Sequence, residues 1–252
     1  VLAADVDSDG DTDLVTLHSS SIGISLNNGS GTFSAPIYYS GASATQDLRY
    51  LALGDFYPGG AIDVAATDGT IGITIWQNDG AGRFARTTGF AAPFFQYNPL
   101  SLNAADINND GKTDLVVTNV GLALLSTTSL GIMRNIGSAA APGFDYDASY
   151  NFAFSTSRDT VITDYNRDGR TDIIATNDNR SIMRLRNNSN VSFSIEAGLS
   201  TGATVAPVAL ARGDFDLDGY VDVISANSTA NTLSLFVNNR AGSFAAPTLL
   251  PV

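Results

Sequence analysis

One nine-residue pattern, D-x-[DN]-x-D-G-x-x-D, constrains this chain most, because it returns at a nearly fixed interval. It runs from Asp5 to Asp13 and recurs at Asp106–Asp114, Asp164–Asp172 and Asp214–Asp222, with a degenerate copy at Asp55–Asp63. The first aspartates are separated by 50, 51, 58 and 50 residues. A second marker, a phenylalanine after a turn, stands at Phe33, Phe84, Phe144, Phe193 and Phe244, which lie 28, 29, 38, 29 and 30 residues beyond those aspartates. A period near 50 residues means that units share one continuous core, so length alone does not set the domain count. The longer third unit carries an insertion at 137–143, where Ser-Ala-Ala-Ala-Pro replaces a tight turn and is read as a loop.

Each unit reads as about four antiparallel strands. A short apolar segment such as Val1–Ala4 or Val208–Ala211 leads into the aspartate loop. A β-rich run follows, starting at Asp13 or Asp172, then an alternating segment such as 22–26 or 71–76, a Gly/Asn turn, and a last strand beginning at the phenylalanine. No window shows sustained helical periodicity with caps. Four-stranded units cannot bury both faces alone, and stacking them around an axis is the propeller solution, with an open solenoid as the rival. The expected fold is all-β, a β-propeller of five four-stranded antiparallel blades. It forms a single repeat domain over 1–252, with blades at about 1–48, 49–98, 99–157, 158–206 and 207–252. No strand is shared between the termini, so closure is expected to rest on packing between the first and last blades.

The loop spacing carries chemistry. Alternate positions 1, 3 and 5 aim oxygen side chains at one point, position 9 adds another, and glycine at position 6 permits the sharp turn. This suits Ca²⁺, which takes about 6–8 oxygens at ~2.3–2.6 Å. The expected ligands are Asp5, Asp7, Asp9 and Asp13; Asp106, Asn108, Asp110 and Asp114; Asp164, Asn166, Asp168 and Asp172; and Asp214, Asp216, Asp218 and Asp222. Position 7 contributes a backbone carbonyl, which explains why Asp11, Lys112, Arg170 and Tyr220 differ there. Mg²⁺ prefers a stricter octahedron with more water, and zinc lacks its usual nitrogen and sulfur ligands. The second loop keeps Asp55 and Asp63 but has Tyr57 and Gly59 in the middle, so no tight calcium is expected there. About four Ca²⁺ ions are therefore anticipated.

Composition agrees. The chain has 25 acidic and 13 basic residues, and 17 of its 24 aspartates lie in the repeated loops. Four divalent ions would bring the formal charge of −12 to about −4, an ordinary surface balance. Lys112 is the only lysine and there is no basic stripe, which argues against nucleic acid. There are no cysteines, hence no disulfides or thiolate sites. No apolar run approaches the roughly 18 residues of a membrane-spanning helix. The first repeat begins at once, so a mature or excised segment without a leader is expected.

These loops, with turns such as Leu26-Asn-Asn-Gly-Ser-Gly-Thr-Phe33, resemble FG-GAP/VCBS repeats over essentially the whole chain. That family includes the integrin α-subunit propeller and some lectins. The resemblance implies four-stranded blades, loop-bound calcium and an extracellular or cell-surface place. It also implies adhesion or carbohydrate binding, with a glycan or an extracellular protein as partner.

The leading expectation is a noncatalytic recognition module in which calcium fixes the loops. A lectin is the more specific version, with Trp76, Tyr38, Tyr39, Tyr97 and Tyr146 as candidate sugar platforms, although packing between blades is the simpler role for such aromatics. The alternatives are a structural subunit of a surface filament, or an accessory module of a secreted polysaccharide-acting enzyme. An enzyme is disfavoured. His18 is the sole histidine, without a recognisable nucleophile and carboxylate, and no spacing pairs Glu196 with an aspartate as in a glycosidase. Arg212-Gly213-Asp214 spells an adhesive tripeptide, but Asp214 opens a calcium loop. Asn28, Asn179, Asn187, Asn190 and Asn227 sit in N-x-[ST] sequons.

Overall fold

A computed structural model describes the chain except for residues 43–46, 58, 69–71, 88–89, 92–98, 120–126, 139–142, 154–155, 190–191, 203, 205 and 229. The described residues are all β, with no helix. The first sheet contains β1 (Leu2–Ala4), β2 (Asp13–Leu17), β3 (Ser21–Ser25) and β4 (Ile37–Ser40). The second contains β5 (Leu48–Gly54), β6 (Asp63–Asp68), β7 (Gly72–Asn78), β8 (Phe84–Arg86) and β9 (Phe90–Ala91). The third has β10 (Pro99–Ala105), β11 (Asp114–Asn119), β12 (Thr127–Asn135) and β13 (Phe144–Ala153), and the fourth β14 (Thr160–Thr163), β15 (Asp172–Asn177), β16 (Ser181–Ser189) and β17 (Ser192–Ser200). The fifth has β18 (Ala209–Gly213), β19 (Asp222–Asn227), β20 (Thr232–Phe236) and β21 (Thr248–Pro251). Each sheet runs in chain order. The chain is thus a β-propeller of five antiparallel blades.

Three details differ from the sequence expectation. The last strands of blades one and five do not begin at the phenylalanine. Phe33 and Phe244 make only single bridges, to Asn27 and Asn238, and β4 and β21 start after Pro36 and Pro247. Proline has no N–H to give a ladder, so pairing resumes one residue beyond it. In blade two the outer strand is broken in two, β8 pairing with residues 76–78 and β9 with residues 72–73 of β7. That blade also begins at Leu48, one residue inside the span assigned to blade one.

The chain packs as two compact units. One comprises Val1–Ala105, Gly111–Val117 and Gly131–Asp147, and the other comprises Asp106–Asp110, Thr118–Leu130 and Ala148–Val252. Within each unit the period-two alternation of a strand assigns successive residues to opposite neighbours. In the first unit Val15, Ile22 and Ile24 of blade one pack with Val64, Ala66 and Trp76 of blade two. The intervening residues of blade two, Ala65, Ile73 and Ile75, turn the other way, onto Leu115, Val117 and Met133. In the second unit Ile174 and Ile182 of blade four meet Val223 and Phe236 of blade five. A strand stacked on both faces is buried throughout, as β6 is.

A polar clasp accompanies this packing in every blade. The aspartate that closes the loop accepts the backbone N–H of an asparagine at the end of the blade's third strand, at 2.7–2.8 Å: Asp13 from Asn27, Asp63 from Asn78, Asp114 from Asn135, Asp172 from Asn187 and Asp222 from Asn238. The same asparagine then reaches into the preceding blade. Asn78 Nδ2 donates to Val6 O, Asn135 to Phe56 O, Asn187 to Ile107 O and Asn238 to Tyr165 O, at 2.7–3.0 Å. Each acceptor is position 2 of the preceding loop. Its side chain is buried at Val6, Phe56, Ile107 and Tyr165, so the amide and an apolar knob fasten the same point.

Candidate metal centres

Within the loops the first aspartate shapes the turn. Asp5 accepts from Asp9 N and Gly10 N at 3.2 and 3.0 Å, Asp164 from Asp168 N and Gly169 N at 3.1 and 2.8 Å, and Asp214 from Asp218 N and Gly219 N at 3.0 and 2.8 Å. Glycine at position 6 has φ from +82° to +95° in the four intact loops. Position 4 is left-handed as well, at Ser8, Asn109, Arg167 and Leu217 (φ 58–62°). The sequence carries no sign of this, because four chemically unlike residues occupy the position. Leu217 has no side-chain compensation for that backbone, so Leu217→Asn should raise the unfolding free energy by about 0.5–1 kcal/mol in chemical denaturation.

Carboxylate oxygens of Asp5, Asp7 and Asp13 lie within 4.8 Å of one another, as do those of Asp214, Asp216 and Asp218. Oxygens sharing one cation at ~2.3–2.6 Å can be no more than about 5 Å apart, so both clusters fit a common Ca²⁺. Asp7 Oδ1 is shut off from solvent and receives no hydrogen bond. Burial first, and then the charges of Asp13 and Asp9, hold the Asp7 carboxyl above its ordinary range. Asp216 is raised for the same reasons, desolvation ahead of its aspartate neighbours, whereas Asp218 is lowered by Arg240, whose Nε donates to it at 2.6 Å. Among the described residues no cationic side chain is seen paired with the Asp5, Asp7 and Asp13 cluster, whereas Arg240 already pairs with Asp218 in the other.

Loops three and four differ. They form no such three-carboxylate group among the described residues, because position 3 is an asparagine; Asn108 and Asn166 accept from the N–H of Asp110 and Asp168 at 3.0 and 2.8 Å. The Lys112 ammonium points away, to Gly137 O at 3.0 Å, while Arg170 folds back to Asp168 at 3.3 Å and Tyr220 lies under the Arg167 guanidinium, 3.9 Å from its ring centre. Asp9 and Asp11 stand outside the first cluster, Asp9 instead accepting from Asp11 N at 2.9 Å. Position 9 has a duty unrelated to metal, since Asp13, Asp63 and Asp222 also accept the position-2 N–H at 2.9 Å. Sequence reasoning gave Asp13 and Asp222 to calcium alone and left Asp63 without a role. The signal was present in the degenerate loop, where Asp55 and Asp63 survive the loss of the middle ligands.

That second loop clarifies the fit. Asp55 Oδ1 is also buried and partnerless, so an orphaned oxygen does not by itself distinguish the loops. The difference is the absence of a second and third middle carboxylate, whose places are taken by Tyr57, buried in the core beside Phe56, and by Gly59. Asp63 is pushed up to about 6 by burial, against the pull of three backbone N–H groups. Its unfolded value is near 3.8. The folded form therefore binds more protons between these values, and the Asp63 contribution to stability falls as pH rises from about 4 to 6 and is flat above. Carboxyl NMR of chelator-treated protein should find the Asp63 midpoint near 6; a midpoint near 4 would contradict it.

Other sequence candidates resolve plainly. Trp76 is fully buried on the face opposite Ile73 and Ile75, its indole donating to Ser40 O at 3.2 Å, and so it is no sugar platform. Tyr39 packs edge-on against Phe84, whereas Tyr38 is exposed beside His18 with ring centres 5.0 Å apart. Tyr97 and the Tyr146 side chain lie outside the described residues, as do Ile71 and most of the 137–143 insertion. His18 contacts Thr16, and Glu196 pairs with Arg184 at 2.8 Å. Of the sequons, Asn187 and Asn227 are buried and closed to glycan in the folded chain.

The FG-GAP-like repeat family model matches residues 5–57 and 60–117. No curated protein matches the sequence. Among solved structures, the fold is similar to a chain in the crystal structure of BBS1N in complex with ARL6DN, soaked with lead, with a TM-score of 0.56 and 11% identity. That likeness covers 81% of this chain and 57% of the other, so this chain spans little more than half of its neighbour's length. FG-GAP repeats build propeller modules that are typically noncatalytic and serve recognition or adhesion. The matched segments thus carry FG-GAP-like repeats, and the same loop returns at Asp164 and Asp214 in a chain of five four-stranded blades.

Proposed function

We propose that the chain is a noncatalytic recognition or adhesion module of the cell surface or extracellular space whose intact loops take Ca²⁺. The carrying observation is the convergence of Asp5, Asp7 and Asp13 on one point around a shielded carboxylate oxygen without a donor. Bound calcium supplies the missing positive charge. The protein does the rest: Asp5 and Asp214 hold the turn through backbone N–H groups, position 9 ties the loop to the third strand, and the nonrepeating loops present the recognition surface. Tyr38, 57% exposed, is the aromatic best placed for a carbohydrate face.

A glycan array run beside an extracellular-protein screen, each with Ca²⁺ and with EDTA, tests the reading. Calcium-dependent capture of a glycan, reduced at least tenfold by Tyr38→Ala, is expected for the lectin form; calcium-dependent capture of a protein alone indicates the adhesin form. Absence of any calcium-dependent ligand would overturn the recognition reading.

A further inference from the structure

Two residues past the clasp asparagine, the turn that leads to a blade's last strand closes on that asparagine. The N–H of Gly29 donates to Asn27 Oδ1, Gly80 to Asn78, Gly137 to Asn135 and Arg240 to Asn238, at 3.0–3.2 Å. Gly29 and Gly80 take a left-handed backbone there, with φ of +77° and +82°. Arg240 takes it too, at +61°. A β-carbon makes that conformation costly, so an arginine held in it asks for a compensating contact.

The contact is with the aspartate loop of its own blade. Arg240 Nε donates to Asp218 Oδ2 at 2.6 Å, and the Asp218 side chain is 5% exposed although the arginine side chain over it is 63% exposed. Blade one shows that this turn position faces the loop: a β-carbon on Gly29 would stand 2.6 Å from Asp11 Oδ2. Glycine supplies no side chain there, and among the described residues no cationic side chain pairs with Asp5, Asp7 or Asp13. Loop four has a looser form of the blade-five arrangement, with Arg170 and Arg186 at 3.3 and 3.7 Å from Asp168. The body of the blade-five turn is fixed. Asn239 Oδ1 accepts from Ala241 N and Ser243 N at 2.9 and 3.1 Å, and Arg184 Nη1 donates to Ser243 Oγ at 2.9 Å. The part free to leave is the exposed guanidinium.

Resting on the calcium reading above, we propose that Arg240 is a built-in competitor of Ca²⁺ at loop five. It neutralises Asp218 while no metal is bound, and it must swing off or share the carboxylate when metal enters. A cation ~2.3–2.6 Å from an Asp218 oxygen and a guanidinium nitrogen on the same carboxyl group stand only about 5 Å apart, which weakens binding about tenfold even at the dielectric constant of water. Loop five therefore binds calcium more weakly than loop one and exchanges it more readily. Loop one keeps its ion as part of the fold, and loop five answers to changes in calcium concentration.

Calorimetric titration of the intact chain with Ca²⁺ tests this. Arg240→Gln keeps the β-carbon but removes the charge, so one site should tighten about tenfold, while Arg240→Lys should stay within about threefold of the unaltered chain. Adding Asp216→Asn to Arg240→Gln should cancel the gain, which places it in loop five, and adding Asp7→Asn should not. In EDTA the Arg240→Gln protein should melt at or below the temperature of the unaltered chain, and in excess Ca²⁺ above it. Equal calcium affinity in Arg240→Gln and the unaltered chain would overturn the proposal and leave the calcium reading standing. An equal gain in Arg240→Lys, or a gain that survives Asp216→Asn, would overturn it as well. A chain that takes up no calcium would overturn both. Should Arg240→Gln fold poorly, the Arg240 Nε–H resonance of the unaltered protein decides: it should shift as the weaker site fills, and a resonance unmoved at saturation would sink the idea.

Discussion

Asn78→Ala should lower the unfolding free energy by about 3–4 kcal/mol, whereas the same change at Asn27 should lower it by roughly 1–1.5 kcal/mol less. Asn78 is buried, and its amide donates to Val6 O at 2.7 Å and Ile62 O at 3.0 Å while its Oδ1 accepts from Gly80 N at 3.0 Å. Removing it strands the buried Val6 O and the partly buried Ile62 O and Gly80 N, and a buried group left unpaired costs about 1–3 kcal/mol. Asn27 makes the bonds to its own blade, to Thr12 O and from Gly29 N, but not the one between blades. The difference between the two variants thus isolates the interblade bond. Urea denaturation in EDTA measures it without interference, because the second loop lacks the middle calcium ligands. Equal losses at the two positions would show that the bond to the preceding blade contributes nothing.

Removing calcium should have an effect of similar size. A ligand that binds only the folded chain adds about 2.7 kcal/mol per site when present at one hundred times its dissociation constant. For a chain of this length that corresponds to about 5–10 °C of melting temperature. Melting should therefore fall by at least that amount in EDTA and return with excess Ca²⁺. Asp7→Asn and Asp216→Asn should each abolish part of the calcium-dependent gain, because each withdraws one charge from a three-carboxylate cluster. Asp55→Asn serves as the contrast. It alters a loop expected to take no tight calcium, so it should leave the gain intact while costing some stability through the bonds from Gly59 N and Gly60 N. A melting temperature indifferent to EDTA and Ca²⁺ would remove the metal reading altogether.

Much of the architecture was legible because repetition averages out local ambiguity. A single Asp-Gly stretch is an ordinary turn, but five copies in step with five phenylalanines left little besides a stacked β array. Boundaries were less legible where one residue changed the ladder, as Pro36 and Pro247 do by delaying β4 and β21. The loop aspartates were seen, but their division of labour was not. Position 1 builds the turn, position 3 carries the shielded oxygen in the first loop, and position 9 is shared between the metal cluster and the clasp. A hydrogen-bond donor arriving from 14 to 21 residues along the chain leaves no spacing signature beside the loop itself.

By itself the sequence determined the period, the all-β class and the places where carboxylates concentrate, since these depend on residue type and local spacing. Only the tertiary structure decided which oxygens converge, that Trp76 is core rather than surface, and that Asn78, Asn135, Asn187 and Asn238 each fasten their blade to the one before it. The physical reason is that burial and the clasps are made by neighbours 36 to 80 residues away along the chain. Their identity can be read from the chain, but which of them touch is settled only when the blades stack.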